Sequence, residues 1–88
     1  MNNNLENLRE EINGIDEQIL KLLKTRFEIA QEIGKIKKEQ GTQIDDTLRE
    51  EELFEMYEKL ARELGLDGEF VKKIFEEIIL ESKRIQTK

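Results

Sequence analysis

The sequence predicts an all-α protein, with one long helix and two shorter ones per chain and two chains intertwined as a helical homodimer. Three observations carry that expectation. Apolar residues recur at alternating intervals of three and four through three segments, the mark of one helical face. Only two stretches punctuate the chain, GTQIDD at 41–46 and LGLDGE at 64–69, and its 88 residues include no proline. The first segment is also too long for a chain of this size to cover alone. About 36 residues at 1.5 Å rise make roughly 54 Å of helix, whereas a compact monomer of this length has a radius of gyration of about 12 Å. The apolar stripe runs to both ends of that helix, so a second chain is needed to cover it.

Helix 1 is expected from about Asn4 to Gln40, with Leu5, Leu8, Ile12, Ile15, Ile19, Leu22, Ile29, Ile33 and Ile36 on its stripe. Gly14 and Gly34 weaken it slightly without ending the pattern. Helix 2 is expected from about Thr47 to Glu63. TLRE at 47–50 has the form of a capping box, with Asp46 as the competing N-cap. Its stripe is Leu53, Met56, Tyr57, Leu60 and Leu64, and Gly65 suits the position just past its end. Helix 3 is expected from about Gly68 to Gln86 behind Asp67 as N-cap. Its stripe is Val71, Phe75, Ile78 and Ile79, with Phe70 and Ile74 beside it. No linker or repeat divides the chain, so residues 1–88 read as a single domain.

Composition narrows the chemistry. Hydrophobic residues make up 36% and charged residues 41%, a balance that favours gaining core by association. Without cysteine there is neither disulfide nor thiol chemistry, and without histidine the usual general base and the commonest metal ligand are missing. Zinc chemistry and serine-triad hydrolysis are therefore not expected, and neither is a metal or cofactor. A net charge of −6 argues against nucleic acid as a partner. The opening MNNNLENLREE lacks the basic and apolar regions of a signal peptide. No apolar run approaches the length of a membrane span. The expected location is the cytoplasm.

The functional signal lies in polar residues on apolar faces. With Arg26 as the origin, Ile33 and Lys37 fall within about 20° of it at 100° per residue. On helix 2, Asp46 and Arg49 line up with Leu53 and Tyr57, and Glu50 is adjacent. On helix 3, Ser82 and Gln86 continue the line of Val71, Phe75 and Ile78. Each has an ordinary reading taken singly: a snorkelling arginine, a tolerated serine, a cap, a solvated glutamine. Together they place two cations, a hydroxyl and an amide on inward faces. An unpaired buried charge costs several kcal/mol, so an anion should meet Arg26 and Lys37. Glu50 and Asp46 supply part of that, and a small dianion would supply it better. Arg9 precedes Arg26 by seventeen positions, roughly 25 Å of helix. It can reach the same small ligand only from a second, antiparallel chain.

These residues together resemble the all-helical AroQ class of chorismate mutases. The first helix carries Leu-Arg at 8–9, Ile-x-x-Ile-Asp at 12–16, Leu-Leu-x-x-Arg at 22–26 and Ile-Gly-x-x-Lys at 33–37. Asp46, Arg49 and Glu50 form an Asp-x-x-Arg-Glu segment, and residues 75–86 read Phe-x-x-Ile-Ile-x-x-Ser-x-x-x-Gln. The resemblance covers essentially the whole chain and departs from many relatives at Gln43-Ile44, where they carry a proline. It implies an intertwined dimer with two active sites, each built from both chains. It further implies that Arg26 and the other chain's Arg9 bind the two carboxylates of chorismate. Lys37 would bridge a carboxylate and the ether oxygen, and Gln86 would reach that same oxygen. Glu50 and the Asp46 backbone would hold the ring hydroxyl, Ser82 would assist a carboxylate, and Arg49 would organise Asp46. The alternatives are an isochorismate pyruvate lyase on the same fold and a non-catalytic helical dimerisation or regulatory module.

Overall fold

The computed structural model describes residues 4–87. They form three α-helices, α1 (Asn4–Gln40), α2 (Thr47–Leu64) and α3 (Gly68–Gln86). None of them is long and apolar enough to cross a membrane. The local chemistry of the breaks decides where the helices stop. Gly41 and Gly65 take positive φ angles of 68° and 71°, a conformation that glycine adopts without a Cβ clash. At α2 the competition between caps goes to Asp46, whose Oδ1 accepts the Arg49 backbone N–H at 3.0 Å. At α3 the Asp67 Oδ1 accepts the Glu69 backbone N–H at 3.0 Å. Each cap satisfies an N–H that has no partner within the helix.

α3 is the centre of the fold, packing against both α1 and α2, while α1 and α2 make no close backbone approach to each other. Against α2 the contact is aromatic. Tyr57 stacks on Phe75 with ring centroids 3.9 Å apart, and Phe54 meets Tyr57 edge-on at 5.5 Å. Against α1 the contact depends on small residues. Ala30 and Gly34 are the buried positions of α1. A Cβ on Gly34 would lie 2.8 Å from both the Cα and the carbonyl oxygen of Gln86. The two backbones therefore meet where one side chain is missing.

This packing departs from the expected inward face of helix 1. The side of α1 turned to α3 carries Leu23, Arg26, Phe27, Ala30, Gly34 and Lys37, all buried or half-buried. The apolar stripe is placed differently: at 100° per residue Leu22, Ile29, Ile33 and Ile36 centre about 100° from the middle of that side, whereas Leu5, Leu8, Ile12, Ile15 and Ile19 centre about 30° from it but precede the contact with α3. It stays open in the single chain. Leu5, Leu8, Ile12, Ile15, Ile19 and Leu22 are between 49% and 69% exposed. The physical reason is size: branched side chains such as Ile29 and Ile33 would hold the helices apart, whereas Ala30 and Gly34 let them close. The outcome is a slab of 63 × 26 × 15 Å with a radius of gyration of 16.9 Å. That radius exceeds the roughly 12 Å of a compact chain of this length. Among the described residues only Ala30, Tyr57, Ala61 and Ile79 form a buried apolar core, so the single chain encloses little.

Gly34→Ala is expected to lower the thermal midpoint. The substitution raises intrinsic helix propensity by up to about 1 kcal/mol, but its methyl drives into the Gln86 backbone, and overpacking typically costs about 1–3 kcal/mol. Gly14→Ala, whose added methyl meets nothing within 4 Å in the chain, should raise the midpoint. Circular dichroism melts at matched concentration check both signs. A Gly34→Ala protein at least as stable as the parent would contradict the tight helix contact.

Candidate active site

The Gly34–Gln86 contact brings the C-terminal half of α1 alongside the last turns of α3. The 41–46 loop then turns the first turn of α2 over the same region. A cleft of about 440 Å³ opens between these parts. Its apolar walls are Ile29 and Ile33 from α1, Ile44 from the loop, Leu53 from α2 and Ile79 from α3. Its polar residues are Arg26, Lys37, Asp46, Arg49, Glu50, Ser82, Lys83 and Gln86. That volume falls within the usual size of small-molecule sites. All the residues singled out from the sequence therefore converge on one cleft, with the exception of Arg9. Arg9 is exposed on the N-terminal half of α1 and, at about 1.5 Å per residue, lies roughly 25 Å along the helix from Arg26.

The cations are held by neutral groups. Arg26 Nη1 donates to Ser82 Oγ at 2.6 Å, and Ser82 Oγ donates to the Ile78 carbonyl at 2.9 Å. Ser82 is buried, so its hydroxyl is a fixed link between the guanidinium and α3. Lys37 Nζ donates to the Ile44 carbonyl at 2.9 Å and to Gln86 Oε1 at 3.2 Å. The amide of Gln86 thus turns its oxygen to Lys37 and keeps its NH₂ group as a donor. Among the described residues, neither Arg26 nor Lys37 forms an ion pair.

The acids are engaged elsewhere. Glu50 and Asp46, which the sequence offered as partial counter-ions, line the cleft with the two cations but form no ion pair with either among the described residues. Asp46 caps α2, and Glu50 Oε2 pairs with Lys83 Nζ at 2.7 Å. Lys83 also pairs with Asp45 Oδ1 at 2.8 Å, which ties the loop to α3. The hydrogen bonds that Lys83 donates to Asp45 and then to Glu50 raise its pKa above the ordinary value, against the opposing effect of desolvation. The same contact with Lys83 holds the Asp45 carboxyl below the usual carboxylate range. Arg49 contributes its backbone N–H to Asp46, and its side chain lies 3.9 Å from Glu52 on the exposed side.

Sequence reasoning did not single out Lys83, the Ile44 carbonyl or the spacing role of Gly34. Lys83 reads as a cation in the last turn of α3, where it complements the helix dipole, and no periodic pattern links it to Glu50. The Gly34 signal was present in the Ile-Gly-x-x-Lys run. What was missing was the knowledge that Gln86 lies opposite.

Comparison with known proteins identifies the family. The sequence profile described as "Chorismate mutase type II" matches residues 8–87. The chain is 34% identical over 82 residues to a chorismate mutase of Methanocaldococcus jannaschii, covering 93% of this chain and 83% of that one. It is 38% identical over 75 residues to the bifunctional chorismate mutase/prephenate dehydratase of Escherichia coli K12, covering 85% of this chain but only 19% of that protein. Among solved structures, a conserved hypothetical protein from Pyrococcus furiosus superposes with a TM-score of 0.75 at 48% identity, covering 98% of this chain and 99% of that one. A family match spanning residues 8–87, together with the similarity to a chorismate mutase over most of both chains, means that the chain belongs to the type II, all-helical family of chorismate mutases.

Proposed function

We propose that the conversion of chorismate to prephenate, the activity that family membership assigns to this chain, takes place in the cleft between α1, α2 and α3 and is completed by a second copy of the chain. The observation that carries this reading is the pair of half-buried cations, Arg26 and Lys37, neither of which forms an ion pair among the described residues. A cleft that leaves two cations unneutralised suits a dianion. Chorismate carries two carboxylates.

The rearrangement is intramolecular and needs no nucleophile, metal or proton shuttle. Two effects lower its barrier. Anchoring both carboxylates holds the enolpyruvyl arm over the ring in a near-attack geometry. Donors aimed at the ether oxygen stabilise the negative character that builds there as the C–O bond breaks, more in the transition state than in the ground state. In this reading Arg26, steadied by Ser82, takes one carboxylate. Lys37 and the Gln86 NH₂ address the ether oxygen, Lys37 also touching a carboxylate. Glu50 and the Asp46 backbone hold the ring hydroxyl, and Arg49 orders that end of α2 through Asp46.

The second copy answers two needs. One is the bare stripe on the N-terminal half of α1. The other is an apolar groove of about 670 Å³ between α2 and α3, lined by Met56, Leu60, Leu64, Phe70 and Ile74 among others. The α1 stripe of one copy packing against the α1 and the groove of the other covers both. The same antiparallel arrangement carries the second copy's Arg9 to the cleft, where it takes the remaining carboxylate.

Purified protein is expected to consume chorismate, followed as loss of its absorbance, and to release prephenate. Lys37→Ala should cost about 10²–10³ in kcat while helix content and assembly state hold. A near-normal rate in that variant would overturn the role of Lys37. Arg26→Ala should raise KM as well as lower kcat, because ground-state and transition-state contacts go together. The dimer is expected to appear as twice the chain mass in sedimentation equilibrium. Mixing inactive Arg9→Ala with inactive Lys37→Ala protein should restore about a quarter of the wild-type rate once subunits exchange, because half the dimers are mixed and each has one whole site. No recovery after verified exchange would rule out a shared site.

A further inference from the structure

We infer that Lys83 is a positioning residue of the cleft: its ammonium, clamped between Glu50 and Asp45, fixes the Glu50 carboxylate to the cleft wall and neutralises it, so that a dianionic substrate can settle beside an acidic side chain. The inference rests on the reading of the cleft as a chorismate site.

Three observations carry it. First, Lys83 and Glu50 line the same cleft as Arg26 and Lys37, and their side chains are only 29% and 27% exposed. Solvent therefore screens this pair far less than it screens a surface pair. Second, two of the three donors of the ammonium are committed, at 2.7 Å to Glu50 and 2.8 Å to Asp45. Lys83 thus serves carboxylates of the protein rather than those of a ligand, which separates it from Arg26 and Lys37. Third, four cationic and two acidic side chains line the cleft, and removing Lys83 halves the surplus of positive charge. It also leaves Glu50 without an ion-pair partner. An unpaired, part-buried carboxylate facing a dianion repels it, and a released side chain no longer keeps one rotamer for the ring hydroxyl.

The clamp reaches the catalytic cation as well. Asp45 ties the loop to α3 through Lys83, and the neighbouring Ile44 offers its carbonyl to Lys37 at 2.9 Å. Lys83 holds that carbonyl in place from behind, without touching the reacting atoms.

The test is a double-mutant cycle on KM, with kcat recorded separately and chorismate Kd from calorimetry for any variant too slow to assay. Lys83→Met is expected to raise KM about tenfold while kcat falls less than about threefold, and Lys83→Arg to stay within about threefold of wild type in both. In a Glu50→Gln background, where the cleft carboxylate that Lys83 neutralises is gone, the same Lys83→Met change should move KM less than about twofold. A purely structural lysine would lower the thermal midpoint equally in both backgrounds and leave this coupling at zero. Equal KM effects in the two backgrounds, or no KM effect of Lys83→Met at all, overturn the proposal. Should Lys83→Met lose helix by circular dichroism, Lys83→Gln runs the same cycle. A wild-type protein that fails to convert chorismate instead overturns the functional reading itself, an outcome read before any variant is made.

Discussion

The contact between Gly34 and the Gln86 backbone is the constraint on which the site depends. Helices with ordinary side chains at their crossing sit about 8–10 Å apart, and the missing Cβ of Gly34 draws α1 and α3 closer at this crossing. That spacing lets two short polar links form, Arg26 to Ser82 and Lys37 to Gln86. A wider crossing would leave the serine hydroxyl and the glutamine amide out of reach of cations on the neighbouring helix. Backbone geometry thus sets the electrostatics of the cleft.

Within that frame the charges are sorted in an unusual way for so acidic a chain. Most carboxylates of the described residues are exposed, and six of them pair with lysines and arginines three or four residues away, as in Lys21–Glu17 and Lys24–Glu28. Such pairs contribute little stability individually. The two acids that line the cleft are engaged, Asp46 in a helix cap and Glu50 with Lys83. A net charge of −6 therefore coexists with a cleft whose free valence is positive. The global figure speaks against a polyanion as partner, and the local one favours a small dianion.

The helices were legible because their signals are local. Apolar periodicity, Asp46 and Asp67 as caps and the glycines past the helix ends act within a few residues, and three helices were expected where three are found. The convergence of Arg26, Lys37, Ser82 and Gln86 was legible because each interrupts an apolar face, and the family resemblance supplied their order. What remained hidden depends on contacts between distant segments. Where α1 crosses α3 most closely its face is marked by the small Ala30 and Gly34, so a search for large apolar residues there lands on Ile29, Ile33 and Ile36, about a quarter turn away. The Lys83 clamp joins positions 45, 50 and 83, a constellation that no helical repeat encodes. The capping contest between Thr47 and Asp46 turned on backbone geometry at one residue.

α1 and α2 share α3 as a neighbour but do not approach each other. The opening of the cleft is therefore spanned mainly by the 41–46 loop and its two lysine tethers. On the proposed reading, a small dianion held by Arg26 and Lys37 on one side and by the start of α2 on the other would be the strut that this architecture lacks. Its binding energy then stiffens the frame as well as orienting the reacting atoms. Amide hydrogens in the first turn of α2 should feel that stiffening most, since they sit at the end of the span farthest from the α1–α3 crossing.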